Sequence, residues 1–215
     1  MATYESLITI KGAVGDLVFY NLNGKNVVRK KSGFNKTAFK KSPTYEKVRH
    51  NSSEFGHCSK IGKIIRKGLD KYIKESGDPL LYQSFAKMMT EVKDLDTISE
   101  RGNRTVKNGL ETEKGKLVLN NFQFGKKQNL KNILSVKNGL FEKSIQLEQE
   151  ISFDEIEVIS LKIDFENYVT ESLEEKINVS RHQKISFQKH FTDDDFVLNF
   201  IVLKANGKIL NMGFV

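Results

Sequence analysis

"LVFYNLNGKNVVRKK", residues 17–31, sets two runs of β-branched and aromatic residues on either side of Asn23-Gly24. Both turn residues tolerate the positive φ that a type I′ turn demands, so the stretch predicts a two-residue β-hairpin. "SLITI" (residues 6–10) precedes it, and Gly12 and Gly15 punctuate the connection. Residues 6–31 therefore read as a small antiparallel meander. Leu17, Phe19 and Val27 are expected to pack inward, and the cations that follow to form one positive, solvated surface.

Downstream, the pattern turns helical. Ser42-Pro43 predicts an N-cap with proline at the first helical position. Val48, Phe55, Cys58, Ile61, Ile65, Leu69 and Ile73 recur at helical spacing. Gly56, Gly62 and Gly68 weaken the run, and a break is expected near Gly56. Asp78-Pro79 repeats the starting signal for a second helix, whose buried stripe is Leu81, Phe85, Met88, Val92 and Leu95 and which ends before "SERGN".

After Arg104 the period changes to two. "KLVLNNFQF", "SIQLEQEISF", "EIEVISLKIDF", "EKINV", "QKISFQ", "FVLNFIVLKA" and "KILNMGFV" read as seven short strands. Asn206-Gly207 joins the last two as a tight hairpin. "VKNGL" occurs at residues 106–110 and again at 136–140, and both copies read as turns. The expected fold is α+β: an N-terminal β-hairpin or meander with two helices, then an antiparallel β-sandwich-like domain. The corresponding domains are residues 1–104 and 105–215.

The totals bound the function. The 215 residues contain two prolines, which excludes a Pro-rich linker, and one cysteine, Cys58, which cannot form an internal disulfide. The N-terminal residues lack a basic n-region and a long apolar h-region, so the expected compartment is the cytoplasm. No apolar run approaches the ~18 residues of a membrane helix, so no direct membrane insertion is expected. Net charge is +8, distributed unevenly: residues 25–74 carry 15 Lys and Arg against 3 acids, and residues 140–176 carry 11 acids against 3 lysines. The molecule reads as electrostatically two-faced, or as two solvated faces.

Signals for chemistry are weak. His50, His57 and Cys58 are close in sequence, but no C-x-x-C or H-E-x-x-H spacing accompanies them, and Cys58 reads as a core residue. His182 and His190 have no partner visible in the sequence. No G-x-S-x-G, P-loop or dinucleotide fingerprint is present. "TDDDF" (residues 192–196) could hold Ca²⁺ or Mg²⁺, or form an acidic turn before a strand; ion loops usually alternate their oxygens, which favours the turn. The expectation is a protein that is not an enzyme, with no cofactor and no metal.

"RKKSGFNKTAFKK" (residues 29–41) is the remaining candidate, interleaving Phe34 and Phe39 with Arg29, Lys30, Lys31, Lys36, Lys40 and Lys41. These six cations are the candidate partner-binding residues. Nucleic acid is one possible partner, through phosphate neutralisation and base stacking, although no RNP-type motif or recognition helix supports it.

"KGAVGDLVFY", "RHNSSEFGHCSKIGKIIRKGL" and "LDTISERGNRTV" resemble a family of small proteins from Bacteroidota. Its members share a KGxxGxxxFY hairpin, an R-x-N-x-x-E-F-G helix and an R-G-N-R segment before a β-rich tail. The resemblance covers about residues 8–124. It implies architecture first. It also implies a role like that of the plug subunit of the type 9 secretion translocon, a soluble protein closing the periplasmic opening of a large outer-membrane β-barrel. On that reading the partner is a protein and the location the periplasmic face of the outer membrane. Within the resemblance, Glu54, Phe55 and Gly56 are expected to form a helix-packing corner. Ser52, Gly56, Ser59 and Gly62 would admit a close neighbour, and Arg101 and Arg104 would tie the helical and β halves together.

Overall fold

A computed structural model describes the whole chain except residues 1, 7, 32, 34, 35, 126–129, 131, 132, 150 and 180–184. The fold is α+β, with strands first, then helices, then antiparallel sheets. By packing, the chain divides between Arg49 and His50 into the units Met1–Arg49 and His50–Val215, whereas the change of period placed a boundary at residue 104.

In the first unit, β1 (Ala2–Thr3), β2 (Gly12–Val14), β3 (Leu17–Leu22) and β4 (Lys25–Lys30) form a sheet of order β1-β4-β3-β2. Asn23 and Gly24 sit at φ 51° and 82°, the left-handed pair of the expected type I′ turn. The register pairs Phe19 with Val28 and Tyr20 with Val27. Leu17 and Phe19 therefore share one face while Val27 lies on the other, because side chains alternate along each strand. The three do not pack inward together: Val27 is buried, Phe19 half-buried, and Leu17 42% exposed.

"SLITI" is not a strand among its described residues. The Ser6 hydroxyl accepts the Ile8 N–H at 3.1 Å, a local bond that competes with a ladder, and Ile8 is exposed. The hairpin leads to α1 (Lys36–Lys41) and a 3₁₀ turn (Pro43–Tyr45), where Ser42 Oγ accepts the Thr44 N–H.

In the second unit, α2 (Glu46–Gly68, entering from residue 46) runs through Gly56 without a break. Nothing would touch a Cβ there, and a helical glycine costs only about 1 kcal/mol. The break comes at Leu69, before α3 (Asp70–Ser76). Cys58, Ile61, Ile65, Leu69 and Ile73 are buried as the spacing predicts, whereas Val48 and Phe55 are exposed.

α4 (Leu81–Asp94) buries Leu81, Phe85, Met88 and Val92. Two further helices follow, α5 (Val106–Glu111) and α6 (Glu113–Asn120), where a turn and the strand "KLVLNNFQF" were expected. Thr105 and Thr112 cap them, accepting from Asn108 N and Gly115 N. Their glycines permit close packing: a Cβ on Gly109 would lie 2.1 Å from Val92 O, and one on Gly115 only 1.9 Å from Gly109 O.

The larger sheet has order β11-β10-β7-β8, from β7 (Glu155–Asp164), β8 (Val169–Asn178), β10 (Val197–Ala205) and β11 (Lys208–Phe214). The smaller has order β5-β6-β9, from β5 (Leu134–Asn138), β6 (Glu142–Leu147) and β9 (Ile185–Gln188). One face of the larger sheet buries Ile159, Leu161, Phe200, Val202 and Phe214 with the helices. Its other face buries Ile156, Val158, Ile201 and Leu203 with Ile145, Ile185 and Phe187 of the smaller sheet. The larger sheet is thus covered on both sides, helices on one and a sandwich partner on the other.

Candidate functional site

The α2 helix and the loop after α4, 50 residues apart, meet around one carboxylate. α2 presents His50, Glu54 and His57 at helical spacing, on one face. Glu54 is 2% exposed. Its Oε1 accepts the Gly102 N–H at 2.6 Å and Arg104 Nε at 2.9 Å; its Oε2 accepts Arg104 Nη2 at 2.9 Å and Lys93 Nζ at 2.7 Å. Burial pushes this carboxyl up, but Arg104, Lys93 and the Gly102 N–H outweigh it and hold it at about 2.

Gly102 has φ 102°, and a Cβ there would lie 2.7 Å from the His50 ring, so only glycine fits. Arg101 donates to Asn51 Oδ1 at 3.1 Å. Asp96 organises the same loop, accepting the Ile98, Ser99 and Thr105 N–H groups and Asn108 Nδ2. Those backbone donors overcome its burial and hold it well below the usual carboxylate range.

His57 completes the wall. Its Nε2 accepts the Val106 N–H at 3.1 Å, so the neutral ring carries its proton on Nδ1 and donates it to Tyr168 Oη at 3.2 Å. Burial and the nearby Lys60 ammonium lower its pKa. Tyr168 lies in the β7–β8 turn at φ 55°, and Lys60 Nζ stands 4.6 Å from its ring centroid. A cleft of about 400 Å³ opens between these groups.

Both oxygens of Glu54 are occupied and its carboxyl is strongly acidic, so the arrangement suits a clamp and not proton transfer. Three expectations change accordingly. Phe55 is 59% exposed and Gly56 meets nothing, so the packing corner is built by Glu54 with the loop alone. Among the small residues, Gly62 is the one against which α4 packs, with Met89 and Phe85 near its Cβ position. Arg101 and Arg104 bind helical residues, because Asn51, Glu54 and Asp94 are the acceptors within reach. On this face of α2, His57 reaches the sheet side at Tyr168.

Arg29, Lys30, Lys31, Lys36, Lys40 and Lys41 are all exposed. They do not form a single surface. Arg29 and Lys30 are neighbours in β4, opposite Val18 and Leu17, and alternation sends them to opposite faces of the sheet. Phe39 is half-buried with Tyr45 edge-on at 5.9 Å, and Phe34 lies outside the described residues. Arg49 donates to Phe39 O at 2.7 Å and Ser42 O at 2.9 Å, fixing the end of α1.

Cys58 is buried, its thiol raised to about 11 mainly by desolvation. Among the described residues no three His, Cys, Asp or Glu side chains cluster as metal ligands. In "TDDDF", Asp193 pairs with Lys189, and Asp195 pairs with Lys162 and caps Thr192. His182 lies outside the described residues; His190 Nε2 is 3.4 Å from Glu175.

Sequence reasoning missed Glu157, fully buried on the helix-facing side of β7. Lys204 at 2.7 Å, Lys176 at 2.8 Å and Lys71 at 3.6 Å surround it. Burial raises its carboxyl, but the lysines bring it to about 2. Its signal was a charged residue at a strand position that alternation assigns to the core. Compared with protein-family models, curated proteins and solved structures, the chain has no match.

Proposed function

We propose that this chain is a non-enzymatic binding protein that docks on a protein partner through the Met1–Arg49 unit. One observation carries the reading. Among that unit's described residues Val27 is the one buried hydrophobic side chain, while Ile8, Val14, Leu17 and Leu22 are exposed beside six exposed cations. A small sheet with apolar side chains in solvent gains its burial from a partner. Exposed cations on β4 and α1 of the same unit speed encounter with an acidic one.

The family resemblance gives the sharpest form of the reading: a plug subunit seated in the periplasmic opening of the type 9 secretion β-barrel. Such a role needs no reaction centre. It needs a rigid body, supplied here by the doubly covered sheet and the Glu54 clamp. Nucleic acid is the alternative. Phe39, engaged with Tyr45, supports it poorly as a stacking platform.

The test is charge reversal of Lys30, Lys31, Lys40 and Lys41 to Glu in the full chain. Association with the protein partner should slow by about tenfold or more, with thermal stability unchanged. Salt-steep binding to DNA or RNA that the reversal abolishes, with no protein partner, would replace this reading with the alternative.

A further inference from the structure

The face of the larger sheet toward the smaller one is mostly aliphatic, with buried polar residues at Asn211, opposite Leu203, and at a second place. Ile156 and Val158 of β7 face the smaller sheet, and Ser160 takes the next place; on β10, Leu203 and Ile201 lead to Asn199, which pairs with Ser160. Alternation would continue with two more aliphatic residues. Ser160 and Asn199 are instead 4% and 7% exposed, and Ser160 Oγ donates to Asn199 Oδ1 at 3.3 Å. The one side-chain hydrogen bond of Asn199 among the described residues is that one, and its amide nitrogen is not among the sealed, unpartnered polar atoms, so it is open to the adjoining space. An amide donor open to a cleft bonds to whatever occupies it, solvent or a ligand's acceptor.

That space is a cleft of about 420 Å³, also lined by Lys143, Leu140, Lys189, Asp193 and Val197. Its charges are compensated with one exception. Lys189 pairs with Asp193, and Asp195 with Lys162. Lys143, half-buried on β6, has no carboxylate within ion-pair distance among the described residues. Desolvation and the Lys189 charge hold its ammonium below its ordinary pKa, against the smaller opposing pull of Asp193.

We propose that this cleft binds a monocarboxylate, its anionic head on Lys143 Nζ and the Asn199 amide and its uncharged body against Leu140 and Val197. One uncompensated cation matches one negative charge, and Asp193 and Asp195 at the wall disfavour a dianion such as phosphate. The head could belong to a free small acid or to the C-terminus of a peptide chain. The site does not rest on the docking role of the Met1–Arg49 unit.

The experiment titrates the full chain by calorimetry with acetate, the tripeptide acetyl-Ala-Ala-Leu as free acid, the same tripeptide as C-terminal amide, and inorganic phosphate. A carboxylate probe should bind about tenfold or more tighter than the amide and phosphate. Lys143→Met should remove that preference and Lys143→Arg should keep it. Acetate binding as well as the tripeptide acid identifies a small free acid; preference for the tripeptide acid identifies a chain terminus. Equal binding of acid and amide, no binding of either carboxylate, or unchanged binding by Lys143→Met overturns the proposal. The acid-against-amide comparison on the unmodified protein decides the matter even if Lys143→Met fails to fold.

Discussion

Arg104 grips Glu54 at two points, Nε on one carboxylate oxygen and Nη2 on the other, each at 2.9 Å, across 50 residues of chain. This pair joins the R-x-N-x-x-E-F-G helix to the R-G-N-R loop, with Lys93 on the same carboxylate. Removing the carboxylate leaves Lys93, 6% exposed, without Glu54 and with only Asp94 as a partner. Glu54→Ala should therefore lower the unfolding free energy by about 3–5 kcal/mol in urea titrations. A loss under 1 kcal/mol would mean that the clamp adds little beyond surface pairing.

Acid should unfold the protein through a small set of buried carboxylates. Glu54 and Glu157 ionise at about 2 in the fold against 4.5 when exposed. Depressed values mean that their stabilisation is full above pH 4.5 and fades as pH falls toward 2, by on the order of 3 kcal/mol each. His57, also lowered in the fold, adds a loss in the same direction beginning below its ordinary 6.5. Glu157→Gln should flatten the pH 2–4.5 limb of stability measured by chemical denaturation; an unchanged limb would remove Glu157 from the account.

Two glycines separate tolerance from necessity. Gly56→Ala in α2 should stabilise by about 0.5–1 kcal/mol, since nothing meets the new methyl and helix propensity improves. Gly109→Ala should cost about 1–3 kcal/mol or more, because its methyl would strike Val92 O at 2.1 Å. Paired melting curves read both, and equal shifts would contradict the α4–α5 contact.

Much of the fold was legible where local and tertiary demands agree. Asn23-Gly24 and Asn206-Gly207 adopt left-handed φ as their turn chemistry requires, and the helical stripes of Cys58 to Ile73 and Leu81 to Val92 are buried. "VKNGL" shows where legibility ends. One copy is helix α5, capped by Thr105 and pressed on Val92 through Gly109; the other ends strand β5 and turns at Gly139, whose N–H donates to Glu142 O. The pentapeptide is the same, so packing partners decide. "KLVLNNFQF" likewise alternates like a strand, yet Thr112 caps a helix through it before Phe122 and Phe124 join the aromatic core. The Glu54 site was half legible. Its residues lay in the segments singled out, but which arginine met which carboxylate depended on the loop between Asp96 and Thr105.

The central claim is that the Met1–Arg49 unit docks on a protein partner, and one measurement tests it most directly. Tagged full-length protein and its Lys30/Lys31/Lys40/Lys41→Glu variant would be recovered from detergent-solubilised membranes of the native host, and the co-purifying outer-membrane β-barrel quantified. The expected result is stoichiometric recovery of a very large barrel with the unmodified chain and about tenfold less with the variant, both equally stable. Recovery of no barrel, or equal recovery with both chains, would contradict it.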